Sequence, residues 1–199
     1  MDLFSKEKLH LKLPQAELIY IENFYDRSTA DEYFKILRTE IDWQQDDITI
    51  FGKTYKQPRL TALYANNEKP YSYSNITMYP KLFSEQLLRI KSDIQKEIDH
   101  DFTSVLLNLY RNGSDSNGWH ADNEKELGTN PIIASVSFGA ERPFHFKHRQ
   151  IKSERHQLQL HHGSLLIMKG EMQHHWLHQI AKTKKEIGER INLTFRQIL

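Results

Sequence analysis

The sequence predicts a single α+β domain, mainly β, built as a β-sandwich or jelly roll with N-terminal helices packed against it. Three observations point there. The 199 residues suffice for one domain with a sizeable core and do not demand two. The first half holds two stretches with apolar residues at helical spacing. From Phe102 onward the pattern changes to short strand-like runs that follow one another closely, as a sandwich or jelly roll requires and a βαβ sheet does not.

Ser28 and Thr29 offer N-caps ahead of ADEYFKILRTEI, where Tyr33, Ile36, Leu37 and Ile41 recur at helical spacing. A second helix is expected from about Leu82 to Ile98, with Leu87, Ile90, Ile94 and Ile98 on one stripe. The expected strands are TSVLLNLY, IIASVSF, PFHFKH, HQLQLHH, SLLIM and RINLTF. Gly113, Gly118, Gly128, Pro131, Gly139, Pro143 and Gly163 punctuate them. No repeat, low-complexity segment or linker interrupts the chain, so residues 1–199 are read as one unit. Its helices fall in about 1–100 and its strand-rich core in about 101–199.

Hydrophobic residues make up 38% and charged residues 27%, values of an ordinary globular protein. No apolar run approaches the ~20 residues needed to span a bilayer. MDLFSKEKLHLKLP lacks the apolar core and small-residue cleavage site of a secretory signal. The expectation is an intracellular protein without membrane partners, cytoplasmic in a bacterium and nuclear in a eukaryote. Cysteine is absent, which excludes disulfides, thiolate metal sites and a cysteine nucleophile. A metal would have to be held by nitrogen and oxygen, and 11 histidines make that feasible. Net charge is only +1, but basic residues cluster. Lys53, Lys56 and Arg59 lie in a stretch, 48–67, that contains no acid. Lys147, Arg149, Lys152 and Arg155 form a second group, and Lys182, Lys184 and Lys185 a third. Such groups suit either phosphate contacts or a solvated surface.

WHADNE, residues 119–124, carries the chemistry. His120 and Asp122 stand two positions apart, so on an extended chain both point to one face, and a bend lets both reach one atom. Two of the three protein ligands of a non-haem Fe(II) centre are arranged so, with a second histidine arriving from elsewhere. His161, His162, His174, His175 and His178 all lie downstream, and spacing does not choose among them. In RINLTFR, Arg190, Asn192, Thr194 and Arg196 share one face and Ile191, Leu193 and Phe195 the other. That is either a strand with a wet face or a strand whose polar face lines a cavity. Two arginines about 20 Å apart along a strand, with an amide and a hydroxyl between them, suit a dicarboxylate. Asn108 and Tyr110 project together from TSVLLNLY and can complete such a pocket.

These runs carry a resemblance. NLYRNGSDSNGWHADNE, PIIASVSFGAERPFHFKH, HGSLLIM, HWLHQI and RINLTFRQIL, in this order, resemble the AlkB family of Fe(II)- and 2-oxoglutarate-dependent dioxygenases, which demethylate nucleic acids. The likeness covers roughly residues 48–199 and is greatest to members acting on double-stranded DNA. It implies a double-stranded β-helix core. It implies Fe(II), 2-oxoglutarate and O2 as cofactor and co-substrates, with His178 as the distal metal histidine beside His120 and Asp122. Asn108, Tyr110, Arg190, Asn192, Thr194 and Arg196 fall on the family's 2-oxoglutarate pocket, Arg190 at the far carboxylate and Arg196 nearer the metal.

IFGKTYKQPR, 50–59, is similar to the hairpin with which duplex-acting members probe DNA. Phe51 matches their aromatic finger, with Gly52, Lys53 and Arg59 beside it. Filling the gap left by an extruded base offsets part of the few kcal/mol that flipping costs. Tyr71 and Tyr73, in PYSYSN, match the aromatic wall that stacks on the flipped base. Asn123 and Glu124 fall where the family contacts the base, although duplex-acting members commonly carry an acid where this chain has Asn123. The implied activity is oxidative repair of 1-methyladenine and 3-methylcytosine in DNA by a monomer, on a duplex with a flipped base. The rivals are a demethylase of single-stranded DNA or RNA, and a non-catalytic jelly-roll module with a structural metal.

Overall fold

The computed structural model describes residues 7–50, 52–67, 71–73 and 76–199, with backbone alone at 49–50, 71–73 and 76–77. The chain opens with the hairpin β1 (Leu9–Leu13) and β2 (Ala16–Ile21), followed by helix α1 (Arg27–Glu40). A second hairpin, β3 (Asp47–Ile50) and β4 (Lys53–Lys56), leads to β5 (Leu60–Ala65), β6 (Tyr71–Tyr73), β7 (Ile76–Met78) and β8 (Lys81–Leu82). After helix α2 (Glu85–Glu97) come β9 (Ser104–Tyr110), β10 (Asn117–His120), β11 (Ile133–Gly139), β12 (Arg142–His148), β13 (Arg155–Leu160) and β14 (Ser164–Lys169). The short helix α3 (Met172–His175) runs directly into β15 (Trp176–Ile180), and β16 (Arg190–Arg196) follows.

Two sheets face each other, as the jelly-roll reading requires. The larger has eight strands in the order β1-β2-β14-β11-β16-β9-β5-β8, and the smaller four in the order β10-β15-β12-β13. The larger sheet draws β1, β2, β5 and β8 from the first hundred residues, so its core is not confined to 101–199. β5 escapes the sequence pattern because five of its six residues are buried and it loses the alternation that marks a half-wet strand, whereas β2 alternates buried and half-buried residues from Ala16 to Tyr20.

Both helices cover the outer face of the larger sheet. Leu37 of α1 and Leu87, Ile90 and Ile94 of α2 are fully buried there, against Ile191, Leu193 and Phe195 of β16. The N-cap of α1 is Asp26 rather than Ser28 or Thr29: its carboxylate accepts from the Thr29 N–H at 2.8 Å and from the Ser28 hydroxyl at 2.7 Å. A carboxylate there also complements the positive end of the helix. Ser84 caps α2, accepting from Leu87 N–H. Between the sheets lies a second apolar cluster, centred on Phe144, Phe146, Met168, Met172 and Trp176. Among the described residues no helix is long and apolar enough to cross a membrane.

The β3–β4 hairpin stands apart as a two-stranded sheet, with Gly52 at φ +75° in its turn, a conformation that glycine adopts without steric cost. Phe51 lies outside the described residues, as do the side chains of Tyr71 and Tyr73 on β6.

Candidate metal centre and co-substrate pocket

β16 settles which of its two faces is wet: neither is. It is a central strand between β11 and β9, and all seven residues are buried. Ile191, Leu193 and Phe195 point to the helices, so Arg190, Asn192, Thr194 and Arg196 point between the sheets. The register with β9 sets Arg190 opposite Tyr110 and Asn192 opposite Asn108. The two polar faces noted in the sequence therefore form one wall. Burying such groups costs several kcal/mol unless partners satisfy them. Asn192 donates to Ser135 Oγ at 2.8 Å and Val136 O at 3.1 Å, and Thr194 donates to Asn192 Oδ1 at 3.1 Å.

The smaller sheet supplies the opposite wall. β10 and β15 pair with His120 directly opposite His178. Between Asn117 and His120 the register slips by a bulge, which re-aims side chains at a strand end. The two rings meet edge to face with centroids 4.3 Å apart. Asp122 lies two residues past the end of β10, with Oδ1 3.9 Å from His120 Nε2. One ligand atom from each of His120, Asp122 and His178 lies within 4.8 Å of the others, and among the described residues no other group of three does so.

Protonation states suit a cation. The His120 Nδ1–H donates to Gly118 O at 2.7 Å, which leaves Nε2 with its lone pair, 3.1 Å from the Asn117 amide. Burial, then the His120 charge, push the His178 imidazole down to about 3, and burial also lowers His120. Both rings are neutral at pH 7, as ligation requires. Burial alone would raise the Asp122 carboxyl; Arg196, then His178 and His120, outweigh it and hold it at about 2. Arg196 Nη2 stands 2.9 Å from Asp122 Oδ1, in the geometry of an ion pair rather than an aligned hydrogen bond.

The other four histidines serve elsewhere. His161 meets the Tyr20 hydroxyl at 2.9 Å, His162 lies 3.1 Å from Asp31, and His175 stacks on His148. His174 is exposed.

At the far end of the pocket sits Arg190, 1% exposed, with Tyr110's ring 5.2 Å from its guanidinium. Nη2 donates to Ser137 Oγ at 2.9 Å, while Nε and Nη1 have no hydrogen-bond partner among the described residues. Burial, partly opposed by Tyr110, pulls its pKa down to about 10, still cationic at pH 7. A buried guanidinium with unused donors at Nε and Nη1 fits an arriving carboxylate. The pocket thus offers a nitrogen and oxygen cage for a divalent metal at one end and a cation at the other, with Leu106, Phe144, Leu160 and Ile180 as apolar walls. That donor set suits Fe(II) and a dicarboxylate that reaches from one end to the other.

Of the residues expected to meet DNA, Lys53 and Asn123 are exposed. Glu124 is half-buried, and burial raises its carboxyl pKa, with Asp122 adding to the shift. Arg59 departs from the expectation of an exposed basic cluster: it is 4% exposed, and donates to Asn108 Oδ1 at 2.7 Å and Ser116 O at 3.2 Å. It buttresses the pocket wall because β5, which it precedes, pairs with β9 inside the sheet. Arg142 and Gln173 escape the sequence reading. Arg142 shares the inward period of Phe144 and Phe146, a signal that was present; its guanidinium donates to the Ala181 and Asp115 carbonyls. Gln173 stands in the polar run EMQHH, which carries no such signal.

Paired sheets around three such ligands and a buried arginine define a 2-oxoglutarate-dependent Fe(II) oxygenase, and residues 17–196 match the 2OG-Fe(II) oxygenase superfamily, to which the chain belongs. It is 43% identical over 184 residues to the alpha-ketoglutarate-dependent dioxygenase alkB homolog 3 of Bos taurus, across 88% of this chain and 64% of that protein. It is 35% identical over 208 residues to the DNA oxidative demethylase ALKBH2 of Mus musculus, across 100% of this chain and 87% of that protein. Within the superfamily the chain is therefore a member of the AlkB family. It spans less than two thirds of the length of the alkB homolog 3 proteins it matches. The structure of OsALKBH1 superposes with a TM-score of 0.67 over 94% of this chain and 100% of that chain, at 16% identity, a likeness of fold.

Proposed function

We propose that the chain demethylates N-alkylated bases in DNA, with 1-methyladenine and 3-methylcytosine as substrates, and repairs them by direct reversal. The observation that carries this reading is the union of His120, Asp122 and His178 with the half-satisfied Arg190 in one buried pocket. The likeness to the mouse relative, a DNA oxidative demethylase, supports the choice of substrate.

In this reading His120, Asp122 and His178 hold Fe(II). The metal, with 2-oxoglutarate and O2, supplies the oxidation of an N-methyl group to N-hydroxymethyl, with succinate and CO2 as co-products. The cationic N-hydroxymethyl base then releases formaldehyde and a proton, and its ring nitrogen regains the lone pair used in base pairing. The chain's own part is binding and exclusion. Arg190 pairs with the far carboxylate of 2-oxoglutarate, and Asn108, Tyr110, Asn192 and Thr194 line its flank. Arg196 keeps Asp122 ionised and oriented. The apolar wall keeps water from the reacting end. Phe51 enters the base stack of a duplex, Tyr71 and Tyr73 stack on the flipped base, Gly52 and Lys53 follow the backbone, and Asn123 and Glu124 face the base edge.

The test is mass spectrometry of an oligonucleotide carrying 1-methyladenine, as duplex and as single strand, with Fe(II), ascorbate and 2-oxoglutarate. Loss of one methylene unit only in the presence of 2-oxoglutarate is the expected result. No loss from either form, with metal bound, overturns the substrate. Phe51→Ala should reduce turnover on the duplex far more than on the single strand; equal losses favour the single-stranded DNA or RNA reading.

A further inference from the structure

We propose that Gln173 is a positioning residue that clamps the backbone of Asp122 to the segment carrying His178, and thereby sets the metal affinity of the site. The proposal rests on the metal-centre reading above. His120 and His178 are held by the β10–β15 ladder, but β10 ends at His120 and Asp122 belongs to no strand. Arg196 reaches its carboxylate. Its backbone N–H donates to Gln173 Oε1 at 2.9 Å, a buried bond between residues 51 positions apart.

Gln173 is 1% exposed and sits in α3, which continues without a break into β15 and His178. Met172 beside it and Trp176 beyond it are buried in the apolar cluster, so the segment is anchored on both sides. The amide therefore ties the one ligand outside the ladder to the chain that bears another. Among the described residues its Nε2 faces only Met168 Sδ, at 3.8 Å, a weak acceptor. Packing alone would favour an apolar side chain at so buried a position, since a buried amide donor given only sulfur costs stability. The strong bond the side chain makes is the one to Asp122.

Partners that orient a metal ligand typically change affinity by 10- to 100-fold when removed. The test uses metal-free protein titrated with Mn(II) alone, with free Mn(II) read by electron paramagnetic resonance and folding checked by urea denaturation. Gln173→Met, which keeps the length and removes the strong acceptor, should weaken Mn(II) binding at least tenfold. Gln173→Glu, which keeps an oxygen at the same reach, should stay within threefold of the parent, as should Met168→Leu. Gln173→Ala serves the same comparison if the Met variant misfolds. A folded Gln173→Met protein with parental affinity overturns the clamp, and so does a Glu variant as weak as the Met variant. His120→Ala is the control for the metal site: parental Mn(II) binding in it overturns the site itself, independently of Gln173.

Discussion

Arg196 and Asp122 form a nearly solvent-free ion pair, 2.9 Å apart, which joins the last residue of β16 to the metal loop. The guanidinium occupies the role of a resident countercharge for a carboxylate that would otherwise be isolated in the metal-free protein. Replacing it with leucine should destabilise the metal-free protein by about 3–5 kcal/mol, the usual cost of breaking a buried pair from one side. A bound cation compensates the carboxylate, so the loss should shrink in Mn(II). Thermal unfolding of Arg196→Leu with and without Mn(II) measures the difference; an equal loss in both sinks the argument.

Acid should unfold the metal-free protein early. His178 has its pKa lowered from an unfolded value near 6.5 to about 3, so the unfolded chain binds the extra proton. Its contribution to stability is complete above pH 6.5 and declines as pH falls toward 3. Asp122, lowered to about 2, adds a second decline below pH 4. Urea midpoints at pH 7.5, 5.5 and 4.5 should fall in that order. His178→Gln, which has no such titration, should flatten the slope between pH 6.5 and 4.5.

Arg190 offers a trade of stability against binding. A buried arginine with two unpartnered donors is a cost in the metal-free protein, and apolar replacement of buried charges often stabilises by about 1–4 kcal/mol. Arg190→Met should therefore raise the urea midpoint. The same change should raise the KM for 2-oxoglutarate about a hundredfold, roughly 3 kcal/mol of lost carboxylate recognition. Mn(II) affinity without 2-oxoglutarate should not change. A lowered midpoint contradicts the assignment of Arg190 as a group waiting for its anion.

Gly139 ends β11 with φ +83°, and an added Cβ would press on Glu189 O and lie 2.6 Å from the Phe34 ring. Gly139→Ala should destabilise by about 2–4 kcal/mol through left-handed strain and overpacking between β11 and α1. Denaturant unfolding checks it, and mutation of Gly118, which has open space around it, is the contrast.

Six of the strands from 104 onward, both helices and the polar stripe of β16 were legible as apolar runs and stripes, whereas β10 and β15, which carry His120 and His178, were not read as strands. The two polar faces of β9 and β16 were legible singly, but only register shows Asn192 opposite Asn108. Nothing local separates His178 from four other histidines; the ladder between β10 and β15 does, and the family resemblance stood in for it. Strand β5 was not legible because burial on both faces erases its alternation. Arg59 misled because three basic residues in a run look alike in sequence, and whether one of them turns inward depends on the sheet it adjoins.

Trp176 has a further use. It shares a face of β15 with His178, with Cα atoms about 7 Å apart, and is fully buried. Trp119 neighbours His120 on the outer side, 40% exposed beneath the Lys147 ammonium. These two indoles flank His120 and His178, one sealed and one wet, so their emission separates by wavelength without any label. A paramagnetic ion entering the centre dims the blue component from within, while iodide in solution dims the red component from outside. With Trp43, the third indole of the chain, replaced by phenylalanine, steady-state fluorescence can thus follow loading of the centre and occupancy of its outer surface in a single cuvette.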